Sequence, residues 1–368
     1  MTSIGLDLVY LVPRATGGME TYARALVPEL ARARPGVRWV AFCGRELAAE
    51  LRARPWCDGL EVVELPVSSG TRIRRTAVEQ TLLPLRIRRA GVDLVHSFAN
   101  TAPLVPGGPP LVVTVHDVIW ARLPETHTGM LAKGLAILSP RAARRAARVI
   151  APSHATAADI KRFLGVATER IAVVPSGPGR EHPEATPEVE LRVRLGLGTG
   201  PIVLCPAPRR PHKNVRRLVQ ATAGLDATVV VPGYASIQEE GLDGAGHARY
   251  LGWLSDADME GLYRTATLLA FPSLAEGFGL PVLEAMRRGL PVACADATSL
   301  PEVAGDAALL FDPRDERAIR AAVACLLGDP SLRESLAQRG REQAARFSWS
   351  AAAEGTWRVY HSVLGTCG

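Results

Sequence analysis

In the stretch Phe271-Pro-Ser-Leu-Ala-Glu276-Gly-Phe-Gly-Leu-Pro281-Val-Leu-Glu284-Ala-Met, two carboxylates stand eight positions apart. Between them lies a glycine-bracketed turn that opens a helix. Pro281 suits the first helical position and Gly289 suits the end. Glu276 then sits in the loop before the helix, and Glu284 about one turn inside it. The backbone N–H groups around Phe278, Gly279 and Leu280 have no acceptors within the helix. They form a seat for an anion such as a phosphate. Two carboxylates beside that seat can hold hydroxyls, those of a ribose and of a sugar, so the residue types outline a pocket for a nucleotide sugar.

Three other groups carry chemistry at strand–helix junctions. Arg209-Arg210-Pro-His212-Lys213-Asn214 follows an apolar strand, and cations there suit a diphosphate: Lys gives a compact charge, Arg a bidentate fork. Only three of the 43 basic residues are lysines (Lys133, Lys161 and Lys213), which puts weight on Lys213. Arg216 and Arg217 follow within the helix and read as its solvated face. Gly17-Gly18 follows the first strand and opens a helix near Met19, where a phosphate can approach the backbone. His116-Asp117 ends the apolar strand Leu111–Val115, at the edge where open α/β sites are built. Each group has a plainer reading. The basic loop can be solvated, the glycines a simple turn, Asp117 a cap and His116 a packed ring.

Other patterns carry less. Asp256-Ala-Asp258 has metal-motif spacing, but Ser255 and Asp256 immediately precede a helix, so the aspartates read as capping and dipole residues and no metal is expected. Arg141, Arg144, Arg145 and Arg148 recur at helical spacing as one basic face. Arg72-Ile-Arg-Arg75 and Arg86-Ile-Arg-Arg89 bracket an apolar segment. Either cluster can touch anionic lipid or simply be solvated. Neither has the interleaved aromatics of a nucleic-acid surface.

The elements that must position these groups are short β-branched runs alternating with helical patterns. The runs are Ile4–Val12, Arg38–Cys43, Leu60–Leu65, Val92–Phe98, Leu111–Val115, Arg148–Ala151 and Ile171–Val174 in the first half. In the second they are Ile202–Cys205, Ala227–Val231, Arg249–Gly252, Leu268–Phe271, Pro291–Ala295 and Ala307–Phe311. Helical patterns include Glu20–Arg32, Val215–Ala223, Asp256–Thr265 and Glu316–Leu327. The alternation predicts an α/β protein with two doubly wound parallel sheets, each covered on both faces. A Pro/Gly-rich stretch, Pro175–Pro187, separates them. Two such domains facing each other leave an interdomain cleft for a ligand.

The bulk numbers agree. The 368 residues exceed one ordinary core, and the chain is 47% hydrophobic and 22% charged. Residues 1–180 carry a net +10 and residues 181–368 a net −4, so the first half is suited to something anionic. No apolar run approaches the ~20 residues that span a bilayer. The start, Met1-Thr-Ser-Ile-Gly, lacks the marks of a signal peptide. The six scattered cysteines suggest neither zinc nor a disulfide framework, and a cytoplasmic setting is expected.

Together the motifs resemble the retaining glycosyltransferases of the GT-B fold, in the GT4 family that includes many bacterial mannosyl- and glucosyltransferases. The resemblance runs nearly end to end. It rests on Gly17-Gly18, His116-Asp117, Lys213-Asn214, Gly252-Trp-Leu-Ser-Asp256, Pro272-Ser273, Glu276–Glu284 and Leu300-Pro-Glu-Val-Ala-Gly305-Asp. It implies two Rossmann-like domains, at residues 1–178 on the acceptor side and 199–347 on the nucleotide-sugar side. Between them is a linker at 179–198, and a final helix at 348–368 crosses back to the first domain.

The resemblance also implies roles. Glu284 would bind the ribose, and Glu276 the donor sugar near the reacting centre, aided by the backbone of Phe278, Gly279 and Leu280. Lys213 would neutralise the leaving diphosphate. Gly17 or Gly18 would approach that diphosphate, and His116 would hold the sugar. The family's Gly-Arg pair is absent: the stretch here is Cys205-Pro-Ala-Pro-Arg209-Arg210, so Arg209 or Arg210 would substitute. The implied reaction moves a hexose from a nucleotide sugar, GDP-mannose or a UDP-hexose favoured, to a saccharide, lipid-linked or other hydroxyl acceptor. It would retain anomeric configuration and use no cofactor or metal. Glu276 would be a transient nucleophile or an electrostatic partner. The acceptor is expected at an anionic membrane face, with the enzyme cytoplasmic and peripheral to it. Two rivals stay open, a GT-B epimerase and an inactive sugar-binding partner subunit. An NAD dehydrogenase is disfavoured because no Gly-x-Gly-x-x-Gly follows a strand.

Overall fold

The structure is a computed structural model that describes residues 1–13, 17–68, 72–105, 108–126, 129–179, 184–233 and 246–365. Residues 180–183 of the expected linker and residues 366–368 of the closing segment lie outside the described residues. The chain divides into two compact units, Met1–Gly177 with Phe347–Gly368, and Pro178–Arg346.

Among the described residues, the first unit holds seven parallel strands: β1 (Ser3–Asp7), β2 (Arg38–Cys43), β3 (Glu61–Glu64), β4 (Leu94–Ser97), β5 (Leu111–Thr114), β6 (Arg148–Ala151) and β7 (Ile171–Val173). Their spatial order is β3-β2-β1-β4-β5-β6-β7. The second holds six: β8 (Ile202–Leu204), β9 (Thr228–Pro232), β10 (Ala248–Leu251), β11 (Leu268–Phe271), β12 (Val292–Ala295) and β13 (Ala308–Phe311). These run β10-β9-β8-β11-β12-β13, again all parallel. Central strands such as β8, β11 and β12 are buried throughout. That is why they read in the sequence as unbroken apolar runs rather than alternating ones. The order reverses at β1/β4 and at β8/β11, the switch points where loops diverge and leave room for ligands.

Two expectations are corrected. The first apolar run was expected to be strand through Val12, but β1 stops at Asp7. The Asp7 carboxylate accepts the Val9 N–H at 3.2 Å, and Leu11 N–H turns back to the Leu8 carbonyl at 3.0 Å. This local side-chain bond competes with the ladder and ends it. Arg148 does not share a helical face with Arg141, Arg144 and Arg145. The helix ends at Arg145, and Arg148 opens β6, paired with Val112.

The closing helix Trp349–Leu364 belongs to the first unit, where it packs on the helix Gly18–Ala33. Its Val359, Tyr360 and Val363 join Ile4, Leu6 and Leu26 in one buried cluster. The Tyr360 hydroxyl reaches His96 Nδ1 at 2.7 Å, and His96 Nε2 reaches Thr114 Oγ1 at 2.7 Å. Burial holds His96 neutral, with a pKa lowered to about 3.

Candidate active site

In the second unit, Lys213 and Glu276 sit on loops leaving β8 and β11, the neighbouring strands at the switch point. Lys213 Nζ donates to Glu276 Oε1 at 2.6 Å, and the two side chains are 14% and 11% exposed. The ammonium also lies 5.3 Å from the centre of the Phe271 ring. A cation and a carboxylate 63 positions apart in sequence thus meet at one strand edge.

The loops carrying them are fastened by residues that sequence reasoning did not single out for this purpose. Asn214, in left-handed backbone (φ 57), donates from Nδ2 to the carbonyls of Pro272 at 3.1 Å and Pro313 at 2.7 Å. Arg217 Nη1 donates to Asn214 Oδ1 at 2.7 Å, so it joins this buckle rather than a solvated face. The Leu274 N–H bonds to the His212 carbonyl at 2.7 Å. On the other side, Thr298 Oγ1 accepts the Glu276 N–H at 2.9 Å. Ser299 Oγ donates to the carbonyls of Glu276 and Phe278 at 3.1 and 2.8 Å. Thr298 holds φ 50, a strained setting for a β-branched residue that costs about 1–3 kcal/mol. Strain of that size persists where surrounding contacts over-determine the backbone, and such sites cluster where ligands bind.

The helix after Glu276 spans Leu280–Arg287, with Pro281 at its second position rather than its first. Its cap is Gly279 at φ 109, where an added Cβ would come within 2.7 Å of Leu300 Cδ2. The turn is therefore open only to glycine. The N–H groups of Val282 and Leu283 already bond to the Gly279 carbonyl. The helix dipole and the amides of Gly279 and Leu280 remain as features that favour an anion. Glu284 lies one turn in and is partly exposed. Its Oε2 accepts the Tyr263 hydroxyl at 2.9 Å. Burial raises its pKa, opposed by the Tyr263 hydrogen bond and by Arg288, and reinforced by Glu260.

Arg209 and Arg210 are exposed on the loop between β8 and Lys213. The Arg210 carbonyl accepts the Lys213 N–H at 2.9 Å. Cys205, at the head of the same loop, is buried with its thiol pushed up to about 12 by desolvation, so it is packing material and not a nucleophile. Asp258 is committed to structure: its N–H is capped by Ser255, and its carboxylate takes Thr186 Oγ1 at 2.7 Å and also pairs with Arg194.

In the first unit, Gly17 caps the helix Gly18–Ala33 with φ 64, and both glycines are exposed. His116 lies just past β5. Its N–H donates to Asn100 Oδ1 at 2.8 Å, and its Nε2 lies 2.8 Å from the Phe98 carbonyl. A carbonyl can only accept, so Nε2 carries the proton and Nδ1 keeps its lone pair. Burial lowers its pKa to about 4, with the Phe98 bond opposing. The neutral ring packs edge-on against Tyr22 at 4.8 Å. His116 is thus a packed ring that keeps one acceptor atom. Asp117 closes a local turn just before the short helix Ile119–Arg122, whose cap position is Val118: its Oδ1 accepts the Ile119 N–H at 3.2 Å.

Sequence comparisons place the chain in one family, and the solved structures share its fold. Residues 16–178 match the model described as Glycosyltransferase Family 4, and residues 189–343 match Glycosyl transferases group 1. The O-antigen chain mannosyltransferase B of Escherichia coli is 32% identical over 264 residues, covering 68% of this chain and 69% of that protein. The MMP alpha-(1->4)-mannosyltransferase of Mycolicibacterium hassiacum is 29% identical over 309 residues, covering 75% and 72%. Among solved structures, a sucrose-phosphate synthase from Thermosynechococcus elongatus superposes with TM-score 0.77 at 21% identity, covering 100% of both chains. Anabaena Alr3699/HepE in complex with UDP and glucose superposes with TM-score 0.73 at 20% identity, covering 98% and 100%. The chain belongs to glycosyltransferase family 4, with two Rossmann-like units of the GT-B fold, and is a glycosyltransferase.

Proposed function

We propose that this glycosyltransferase moves a hexose from a nucleotide diphosphate sugar to a hydroxyl acceptor, with retention at the anomeric carbon and without a metal. The observation that carries the reading is the Lys213–Glu276 pair, fixed at the β8/β11 switch point beside the Gly279-capped helix that bears Glu284. Breaking the anomeric C–O bond builds negative charge on the diphosphate and positive charge on the sugar. Lys213, the amides at Gly279 and Leu280, and one of Arg209 or Arg210 meet the negative charge. One such pre-placed donor is worth about 3–4 kcal/mol. Glu276 faces the positive charge as an electrostatic partner. A carboxylate held by an ammonium is a poor nucleophile, which favours attack by the acceptor on the face the diphosphate leaves. The acceptor's proton passes to the departing phosphate oxygen. Glu284 receives the ribose hydroxyls. In the first unit, the family resemblance assigns Gly17 or Gly18 to the diphosphate and His116, whose Nδ1 can accept a hydrogen bond, to a sugar hydroxyl.

The mannosyltransferase relatives favour GDP-mannose, with a UDP-hexose next, and a saccharide or lipid-linked acceptor. A membrane-face acceptor agrees with the helix Arg72–Ala90. Its Ile73 and Leu85 are 65% and 49% exposed, Arg72, Arg74, Arg86, Arg88 and Arg89 are exposed around them, and its single acid, Glu79, is buried. That face suits peripheral contact with anionic lipid. Among the described residues no helix is long and apolar enough to cross a membrane. A thermal-shift screen against UDP, GDP, ADP and TDP and their sugars tests the donor. One base should raise the melting temperature in EDTA-treated protein, and the matching sugar should be consumed with acceptor. A shift with none of them, or turnover restored to EDTA-treated protein only by Mg²⁺ or Mn²⁺, would overturn the reading.

A further inference from the structure

The carboxylate of Glu284 is held by neighbours outside the motif that carries it. Tyr263 donates to Oε2 at 2.9 Å from the helix Asp256–Thr265. Arg288 lies with its guanidinium 4.7 Å from the centre of the Tyr263 ring. Its Nη1 donates to the Glu284 carbonyl at 3.0 Å. Its Nε and Nη2 reach Glu260 Oε2 at 3.0 and 2.6 Å. Arg264 takes the other Glu260 oxygen at 2.8 Å. Tyr263 and Glu260 are buried. The phenol therefore cannot swing away without leaving a buried hydroxyl unpaired, which costs about 1–3 kcal/mol.

The other carboxylate oxygen has a different neighbour. Gly179 lies against it so closely that an added Cβ would fall 2.1 Å from Oε1 and 2.9 Å from Cδ. Both the oxygen and the carboxyl carbon would be in conflict, so any side chain at 179 would displace the carboxylate itself. One oxygen is thus occupied by Tyr263, and the other is kept in place by the absence of a side chain at 179.

We propose that Tyr263 and Gly179 are positioning residues that set the Glu284 carboxylate to discriminate ribose hydroxyls, with Oε1 as the acceptor the sugar ring meets. This rests on the reading of Glu284 as the ribose residue, and the experiment separates the two. Affinities of GDP and UDP, and of their 2′-deoxy and 3′-deoxy forms, are measured by calorimetry for the wild type, Glu284→Ala, Tyr263→Phe and Gly179→Ala. The wild type should prefer the ribonucleotide over at least one deoxy form. Tyr263→Phe keeps the ring beneath Arg288 and loses only the hydroxyl. It should weaken the ribonucleotide about tenfold while the discriminated deoxy form changes less than about threefold. Gly179→Ala should collapse the same ratio. In turnover, Tyr263→Phe should raise the donor KM and leave kcat within about twofold.

If Glu284→Ala binds every nucleotide as the wild type does, or the wild type shows no preference, the ribose reading itself fails. If Glu284→Ala abolishes the preference but Tyr263→Phe and Gly179→Ala keep it, the positioning role fails alone. An equal loss for ribo and deoxy forms, with a lowered melting temperature, would make Tyr263 a packing residue and overturn the proposal.

Discussion

Neutralising Glu276 should tighten the nucleoside diphosphate and stop transfer. In the structure Lys213 spends its charge on Glu276 at 2.6 Å, with the side chains 14% and 11% exposed. Unit charges about 4 Å apart attract by roughly 4 kcal/mol at an effective dielectric of about 20. Desolvation of groups this enclosed cancels most of that, leaving on the order of 1 kcal/mol for the pair. A diphosphate that recruits Lys213 gives up that pairing and brings its own negative charge beside the carboxylate. Both effects oppose binding, and both vanish in Glu276→Gln, whose amide oxygen still accepts from Nζ. GDP or UDP, whichever the enzyme uses, should bind about tenfold more tightly, equivalent to ~1.4 kcal/mol. Transfer should fall by about 10²–10³ because the developing positive charge on the sugar has lost its partner. Calorimetry with the diphosphate and a steady-state transfer assay read the two effects. Unchanged or weaker diphosphate binding by Glu276→Gln would show that the pair does not compete with the ligand, and would remove Lys213 from the phosphate site.

Lys213→Ala should cut transfer by about 10²–10³ with the fold intact; because it leaves Glu276 enclosed without a cation, it should also lower thermal stability more than Lys213→Ala/Glu276→Gln does, and full activity would sink its assigned role. A second expectation concerns the buried acids of the first unit. Burial raises Asp7 to about 6 and Glu79 to about 8, with Asp7 adding to the shift of Glu79, while the hydroxyls of Ser97 and Thr101 oppose it. The folded chain thus keeps protons that the unfolded chain gives up, so this contribution is full below about pH 4 and is lost as pH rises through 6 and 8. Glu79→Gln keeps an acceptor for Thr101, so its melting temperature should exceed the wild type's by more at pH 8 than at pH 5; parallel curves would refute the raised acid. Finally, the protein should sediment with phosphatidylglycerol vesicles and not with phosphatidylcholine, and Arg86→Glu/Arg89→Glu should abolish this, each arginine contributing about 1 kcal/mol near the surface. Equal binding to both lipids would rule out a charge-directed contact.

What the sequence made legible follows from what each signal physically is. Among the described residues, the buried central strands β8, β11 and β12 register as unbroken apolar runs because both their faces are covered, whereas β3 and β10, at the sheet edges, are only partly covered and carry Glu61, Glu64 and Arg249. The first run misleads past Asp7 because periodicity does not register a carboxylate that turns to its own backbone two residues on. Glu276, Glu284 and Lys213 were visible because their types and junction positions are chemical statements. The residues that hold them were not. Thr298 meets the Glu276 N–H across 22 positions, and Tyr263 meets Glu284 across 21. Neither partner carries any local mark, for a threonine or a tyrosine looks the same whether it is solvated or bonded. Thr298 is the sharper case. Its left-handed backbone is a cost no local preference would choose, and in the structure its hydroxyl takes the N–H of the very residue that faces Lys213. The groups proposed to meet the ligand can be read from composition and spacing, whereas the groups that hold them exist only as contacts between segments brought together by the fold.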